Sequence, residues 1–165
     1  MRRQKRSPAP DCLRTRAPAS VGPSGRSERA AGRQRSVLSG RGSRKKYQRR
    51  RADDEGLTQV VAVLGDERAT GLESSAVDLV FICDTYHHIE YPQNYLNSLF
   101  ETLRPGGVLV LIDFERIRGF TSPQIMQHVC AGKQTVVEEV TGAGFVLDTQ
   151  VDLLSENYYL RFKRP

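Results

Sequence analysis

Val77-Asp78-Leu79-Val80-Phe81-Ile82-Cys83-Asp84 and Pro105-Gly106-Gly107-Val108-Leu109-Val110-Leu111-Ile112-Asp113-Phe114 are the two stretches that decide the fold. Each is a nearly continuous apolar run with a carboxylate at or near its end, and a run that does not alternate belongs to a strand buried on both sides. Between them, Leu96, Leu99, Phe100 and Leu103 recur at the i, i+3, i+4, i+7 spacing of one helical face. Pro92 suits the first turn of that helix, and Arg104-Pro105-Gly106-Gly107 stops it. Strand, helix and strand in so short a span make a βαβ crossover, which implies an α/β fold on a parallel sheet with both faces covered. In such sheets ligands bind beyond the carboxyl ends of the strands, where Asp84 and Asp113 lie.

Charge divides the chain. Of the 25 Lys and Arg in 165 residues, the first 51 hold 17 against two acids, Asp11 and Glu28, a net charge of +15, while the remainder is net −9. The overall +6 therefore describes neither part. Residues 1–56 are rich in Ser, Gly, Pro and Ala and carry Tyr47 as their single aromatic. Such a composition cannot bury enough apolar surface to offset the entropy of ordering, so a disordered Arg-rich segment is expected ahead of one small domain at 57–165. Cys12, Cys83 and Cys130 are odd in number and widely spaced. They argue against a disulfide framework and for a reducing, cytoplasmic setting. No apolar stretch suggests a membrane span or signal peptide, so no membrane partner is expected.

Further elements follow from the same rules. Val60 to Leu64, followed by Gly65-Asp66, reads as another parallel strand. Pro123 to about Cys130 reads as a helical turn capped by Ser122. Gln134 to Thr141 reads as a helix that buries Val136, Val137 and Val140, turns Glu138 and Glu139 to water, and closes at Gly142-Ala143-Gly144. Phe145, Leu147, Thr149 and Val151 alternate along one strand and Tyr158, Leu160 and Phe162 along the next, an antiparallel hairpin with the aromatics in the core.

These residues also carry a resemblance. Its points are Leu64-Gly65-Asp66, Val77-Asp78-Leu79-Val80, Asp84-Thr85-Tyr86-His87-His88-Ile89, Leu103-Arg104-Pro105-Gly106-Gly107, Asp113-Phe114, Ala143-Gly144-Phe145 and Asn157-Tyr158-Tyr159-Leu160-Arg161-Phe162. In that order and spacing, the chain from about Thr58 to its end resembles the C-terminal two thirds of a class I S-adenosylmethionine-dependent methyltransferase of the methyltransferase domain 11 type. The resemblance implies a Rossmann-like α/β sheet ordered 3-2-1-4-5-7-6 with strand 7 antiparallel, here N-terminally incomplete with strands 3 to 7 present. It implies S-adenosylmethionine as cofactor, with Asp66 and the adjoining Glu67 at the adenine, and Asp84 and Thr85 at the methionine end. It places Tyr86 or His87 where a proton would be removed from a small-molecule acceptor.

The family's site also uses a Gly-x-Gly loop after strand 1 and an acid after strand 2, where glycine lets the backbone approach the ligand and the acid holds the ribose hydroxyls. The nearest stretch, Val37-Leu38-Ser39-Gly40-Arg41-Gly42, has two apolar residues before it, no acid, and Arg44-Lys45-Lys46 where an apolar helix should begin. The expectation is a truncated methyltransferase, weak or inactive as given. A non-catalytic remnant or interaction module, and a non-specific nucleic-acid binder acting through residues 1–51, stay open as alternatives. Without strands 1 and 2, Val77 to Cys83 becomes an exposed apolar edge, and either strand 3 moves over to pair with strand 4 or the chain folds poorly. His87-His88 suggest no metal, because no third His or Cys lies at ligand spacing and a strand-end pair points in different directions.

If the basic segment binds DNA or RNA, counterion release makes the affinity fall steeply with salt. Fluorescence anisotropy at rising salt should show that slope in the full chain, and deleting residues 1–51 should abolish binding.

Overall fold

The structure is a computed structural model that describes residues 36–40, 42–151 and 154–165. Its elements are β1 (Ser36–Gly40), α1 (Gly42–Asp54), β2 (Val60–Leu64), β3 (Val77–Cys83), a 3₁₀ turn (Tyr86–His88), α2 (Pro92–Thr102), β4 (Leu103–Phe114), α3 (Pro123–His128), α4 (Lys133–Gly142), β5 (Val146–Val151) and β6 (Asn157–Lys163).

The two apolar runs become β3 and β4, which pair in parallel from Leu79 opposite Val108 to Cys83 opposite Ile112. α2 makes the crossover between them, with Pro92 in its first turn and Leu96 and Leu99 buried. β6 lies antiparallel between β4 and β5, giving the order β3-β4-β6-β5. That is the order and polarity expected of strands 4, 5, 7 and 6. α2 and α4 cover one face of this sheet, where Leu96, Leu99, Val136 and Val140 meet Leu109, Leu111, Leu160 and Phe162. Phe100 and Phe145 cross edge to face at 5.1 Å between centroids, tying α2 to the strand that follows α4. The expected solvent-facing pair on α4 is half right: Glu138 is exposed, but Glu139 turns inward and accepts a hydrogen bond from the Tyr86 hydroxyl at 2.7 Å.

Three expectations need correction. The first is that both faces of the sheet are covered. Val80 and Ile82 pack into the core, but Leu79 and Phe81 on the opposite face of β3 remain 58% and 61% exposed. The second concerns residues 36–56: β1 and α1 form within the stretch read as a disordered segment, while residues 1–35 fall outside the described residues. α1 escapes a periodicity argument because its apolar content is so low. Buried Ala52 and the i,i+4 pairs Arg51–Glu55 (2.8 Å) and Arg50–Asp54 (3.8 Å) take the place of an apolar face. The third concerns cysteine: Cys83 is a free thiol, whereas Cys130 is disulfide-bonded.

β2 neither slides to β3 nor stays alone. It pairs in parallel with β1, from Ser36 opposite Val60 to Gly40 opposite Leu64. The segment after it is clasped to α2 by Thr70, 2% exposed, whose hydroxyl meets those of Thr102 (3.0 Å) and Ser98 (3.2 Å). Gly71 closes that turn at φ +72°, where an added Cβ would stand 2.0 Å from the Leu64 carbonyl oxygen. Among the described residues, no strand pairs with the second edge of β1 or of β3. With β1 and β2 as strands 2 and 3, the position without a described strand is strand 1. No described helix is long and apolar enough to cross a membrane.

The exposed β3 face should govern solubility and the covered face stability. Leu79→Lys with Phe81→Lys is expected to lower light scattering while moving the urea midpoint little, and Leu111→Ala should cost roughly 2–5 kcal/mol.

Candidate functional site

The carboxyl ends of the parallel strands present two loops. Asp66, just past β2, folds its loop onto itself: Oδ1 accepts from the amides of Arg68 (2.7 Å) and Ala69 (2.8 Å). The Arg68 guanidinium lies 3.6 Å over the Tyr91 ring, which holds this loop against the entrance to α2. Glu67 is half-buried in the same turn.

The second loop follows β3. Asp84 sits at φ +46°, a left-handed conformation that few residues other than glycine adopt. Its amide donates to the Ile112 carbonyl (2.9 Å) and its Oδ1 accepts from Asn157 Nδ2 (2.9 Å), so β4 and β6 both hold it. Thr85 Oγ1 donates back to the Cys83 carbonyl at 2.7 Å, and the 3₁₀ turn begins.

Tyr86 and His87 part company in that turn. Tyr86 is fully buried, with its hydroxyl on Glu139. His87 packs against Asp113, which is 1% exposed near the end of β4. Asp113 accepts from His87 Nδ1 (2.7 Å), the His87 amide (3.0 Å) and the Phe114 amide (2.8 Å). A carboxylate only accepts, so Nδ1 carries the proton, and in the neutral imidazole Nε2 is the acceptor end of the ring. Sequence reasoning placed Asp113 at the right strand end without finding this pair; two apolar runs ending in acids were its only signal.

The turn also overturns the view of His87-His88 as diverging. Consecutive residues of a 3₁₀ helix are about a third of a turn apart, not on opposite faces as in a strand. The rings lie 4.1 Å apart at 47°, and His128, at the end of α3, meets both at 5.1 Å and 4.9 Å. No sequence pattern pointed to His128. Of the expected site residues, the structure thus gathers Asp84, Thr85, Tyr86 and His87 in one loop and leaves Asp66 and Glu67 in another. A neighbouring cleft of about 450 Å³, lined by Glu115, Lys133, Thr135 and Leu147 among others, includes none of them.

The methyltransferase-domain family matches residues 36–111, beginning at β1 rather than at about Thr58. Over that stretch, 76 of the 165 residues, the chain is similar to methyltransferase domains. Similar folds include a SAM-dependent methyltransferase from Aquifex aeolicus (TM-score 0.65, 19% identity, 73% of this chain and 63% of that one). Others are the S-adenosylmethionine-dependent methyltransferase from Mesorhizobium loti (0.60, 13%, 72% and 76%) and the cyclase SpnF (0.63, 13%, 73% and 62%). The chain therefore spans less than two thirds of the Aquifex aeolicus protein and of SpnF. No curated protein matches it. At such identities the likeness is one of fold, and the presence of a cyclase among the neighbours shows that fold alone does not assign the chemistry.

For the methyltransferase cofactor, the donor set fits at two ends. A carboxylate after β2 suits an adenine amino group, and the Asp84–Thr85 turn suits a charged amino acid moiety. Among the described residues, the end of β1, Ser39-Gly40, offers no acid to the ribose.

Desolvation of the sulfur, with the Asp84 and Asp113 carboxylates nearby, pushes the Cys83 thiol up from its ordinary range. Alkylation of the Cys83 peptide by iodoacetamide, followed by mass spectrometry, should rise with pH through a midpoint above that of an ordinary thiol, because less thiolate is present at any lower pH.

Proposed function

We propose that the chain binds S-adenosylmethionine across the carboxyl ends of β2 and β3 and serves methyl transfer to a small-molecule acceptor. Adenine is assigned to Asp66 and Glu67, and the methionine end to Asp84 and Thr85. The observation that carries the reading is the buried His87–Asp113 pair at 2.7 Å, on the loop assigned to the methyl end. The sulfonium of the cofactor supplies an electrophilic methyl group, so the protein's task is to align the acceptor and relieve it of a proton.

His87 suits that task. Asp113 fixes its tautomer and ring plane, which leaves Nε2 to take the proton, and stabilises the imidazolium that forms. Tyr86 has its hydroxyl committed to Glu139 and is fully buried, so its part is to position the loop. Asp84 shapes the turn from which both project.

Affinity is the weak point of this site. Without a ribose acid or a recognised glycine loop, about three hydrogen bonds are missing, each worth roughly 1–3 kcal/mol. Together they weaken binding by about 10² to 10⁶-fold, which takes a micromolar site to millimolar or beyond.

Calorimetric titration with S-adenosylmethionine should therefore show a dissociation constant near or above millimolar. Gly40→Asp, which returns a carboxylate to the end of β1, should tighten it at least tenfold, and Asp66→Ala should weaken it further. Under saturating cofactor, His87→Gln should lower methyl transfer to a responsive acceptor by about 10²-fold or more without changing cofactor affinity. Micromolar binding indifferent to Asp66→Ala would overturn the assignment.

A further inference from the structure

Three imidazoles from two separate elements converge beside the site. His87 and His88 come from the 3₁₀ turn and His128 from the end of α3, and one ring nitrogen from each can be chosen so that all three lie within 4.8 Å of one another. Nitrogens sharing one tetrahedral zinc stand about 3.3 Å apart, given bonds of about 2.0 Å. The difference is small enough for modest side-chain adjustment to close, and two of the three rings face solvent: His88 and His128 are exposed, while the His87 side chain is 4% exposed.

The immobile member is held as a metal ligand is held. Metal-binding histidines characteristically donate the other ring N–H to a carboxylate, which fixes the tautomer and raises the basicity of the coordinating nitrogen. Asp113 does this for His87 at 2.7 Å, and is itself anchored by two backbone amides. The arrangement is a buried ligand with its carboxylate behind it and two exposed ligands in front.

We propose that His87, His88 and His128 form a binding site for a divalent transition-metal ion. An all-imidazole set suits zinc, cobalt, nickel or copper and disfavours magnesium and calcium, which require oxygen ligands. Three protein ligands leave one tetrahedral position open to water or to another small ligand. Taken together with the function proposed above, on which this clause rests, the ion would occupy the Nε2 otherwise open to the acceptor's proton, so in the metal-loaded chain a hydroxyl-bearing acceptor in the open position would be activated by the ion, with its proton released to solvent, rather than by His87.

Cobalt(II) tests the site directly, because its visible absorption reports coordination with no turnover required. Titration of the full chain should give one tetrahedral-type spectrum at one equivalent, displaced by zinc and unaffected by magnesium. His128→Ala and His88→Ala both alter exposed side chains, and each should weaken binding at least tenfold with an unchanged circular dichroism spectrum. Asp113→Asn should weaken it by about 10 to 100-fold. The idea is overturned if no such spectrum forms, if it survives both His128→Ala and His88→Ala, or if it carries a thiolate charge-transfer band lost in Cys83→Ser. Parallel calorimetry with S-adenosylmethionine separates the two assignments: cofactor binding without a cobalt spectrum refutes the metal site alone, and a histidine-dependent cobalt spectrum without cofactor binding refutes only the cofactor site.

Discussion

A single buried carboxylate organises the functional end of this protein. Asp113 stands at 1% exposure near the end of β4, where an unpaired charge would cost several kcal/mol. It is tolerated because the His87 ring, the His87 amide and the Phe114 amide all donate to it. Those donors come from two strand ends, so satisfying the charge forces the loop after β3 to fold over β4. The left-handed backbone of Asp84 and the 3₁₀ turn that follows are consequences of that demand. Through them, one electrostatic requirement sets the ring plane of His87, the direction of His88 and the burial of Tyr86 against Glu139.

The sheet shows the opposite situation, a set of demands left open. β1 and β2 form one parallel pair and β3-β4-β6-β5 a second sheet, and the two are bridged by the Thr70 hydroxyl on Ser98 and Thr102 rather than by strand hydrogen bonds. Packing energy is concentrated where α2 and α4 cover one face. On the other face, Leu79 and Phe81 stay 58% and 61% exposed and gain much less from burial. The β3 edge therefore combines apolar side chains with backbone groups that no described strand pairs, and it is the part of the described fold with most to gain from a further strand.

Much of the fold was legible because its signals are local. Val77 to Cys83 and Val108 to Phe114 declare buried strands by composition, and Leu96 and Leu99 declare the helix between them by spacing. Ser122 was legible as a cap, and its hydroxyl does accept from the Ile125 amide. β1 and α1 were not legible, because two apolar residues before an Arg-rich stretch resemble disordered sequence. Their order comes from a partner strand, a buried Ala52 and ion pairs along α1, none of which leaves a periodic trace.

The sequence by itself determined that an α/β crossover would carry acids to the carboxyl ends of its strands, since apolar runs, glycine turns and terminal carboxylates are properties of consecutive residues. It also determined the resemblance to methyltransferases, which rests on short motifs in order. Only the tertiary structure decided which acid would matter and what it would hold. His87 and Asp113 come from different segments, and His128 ends a short helix whose cap was legible but whose histidine carried no functional signal. Their meeting depends on how α3 lies against the loop after β3, a relation between distant parts of the chain that no window of sequence contains.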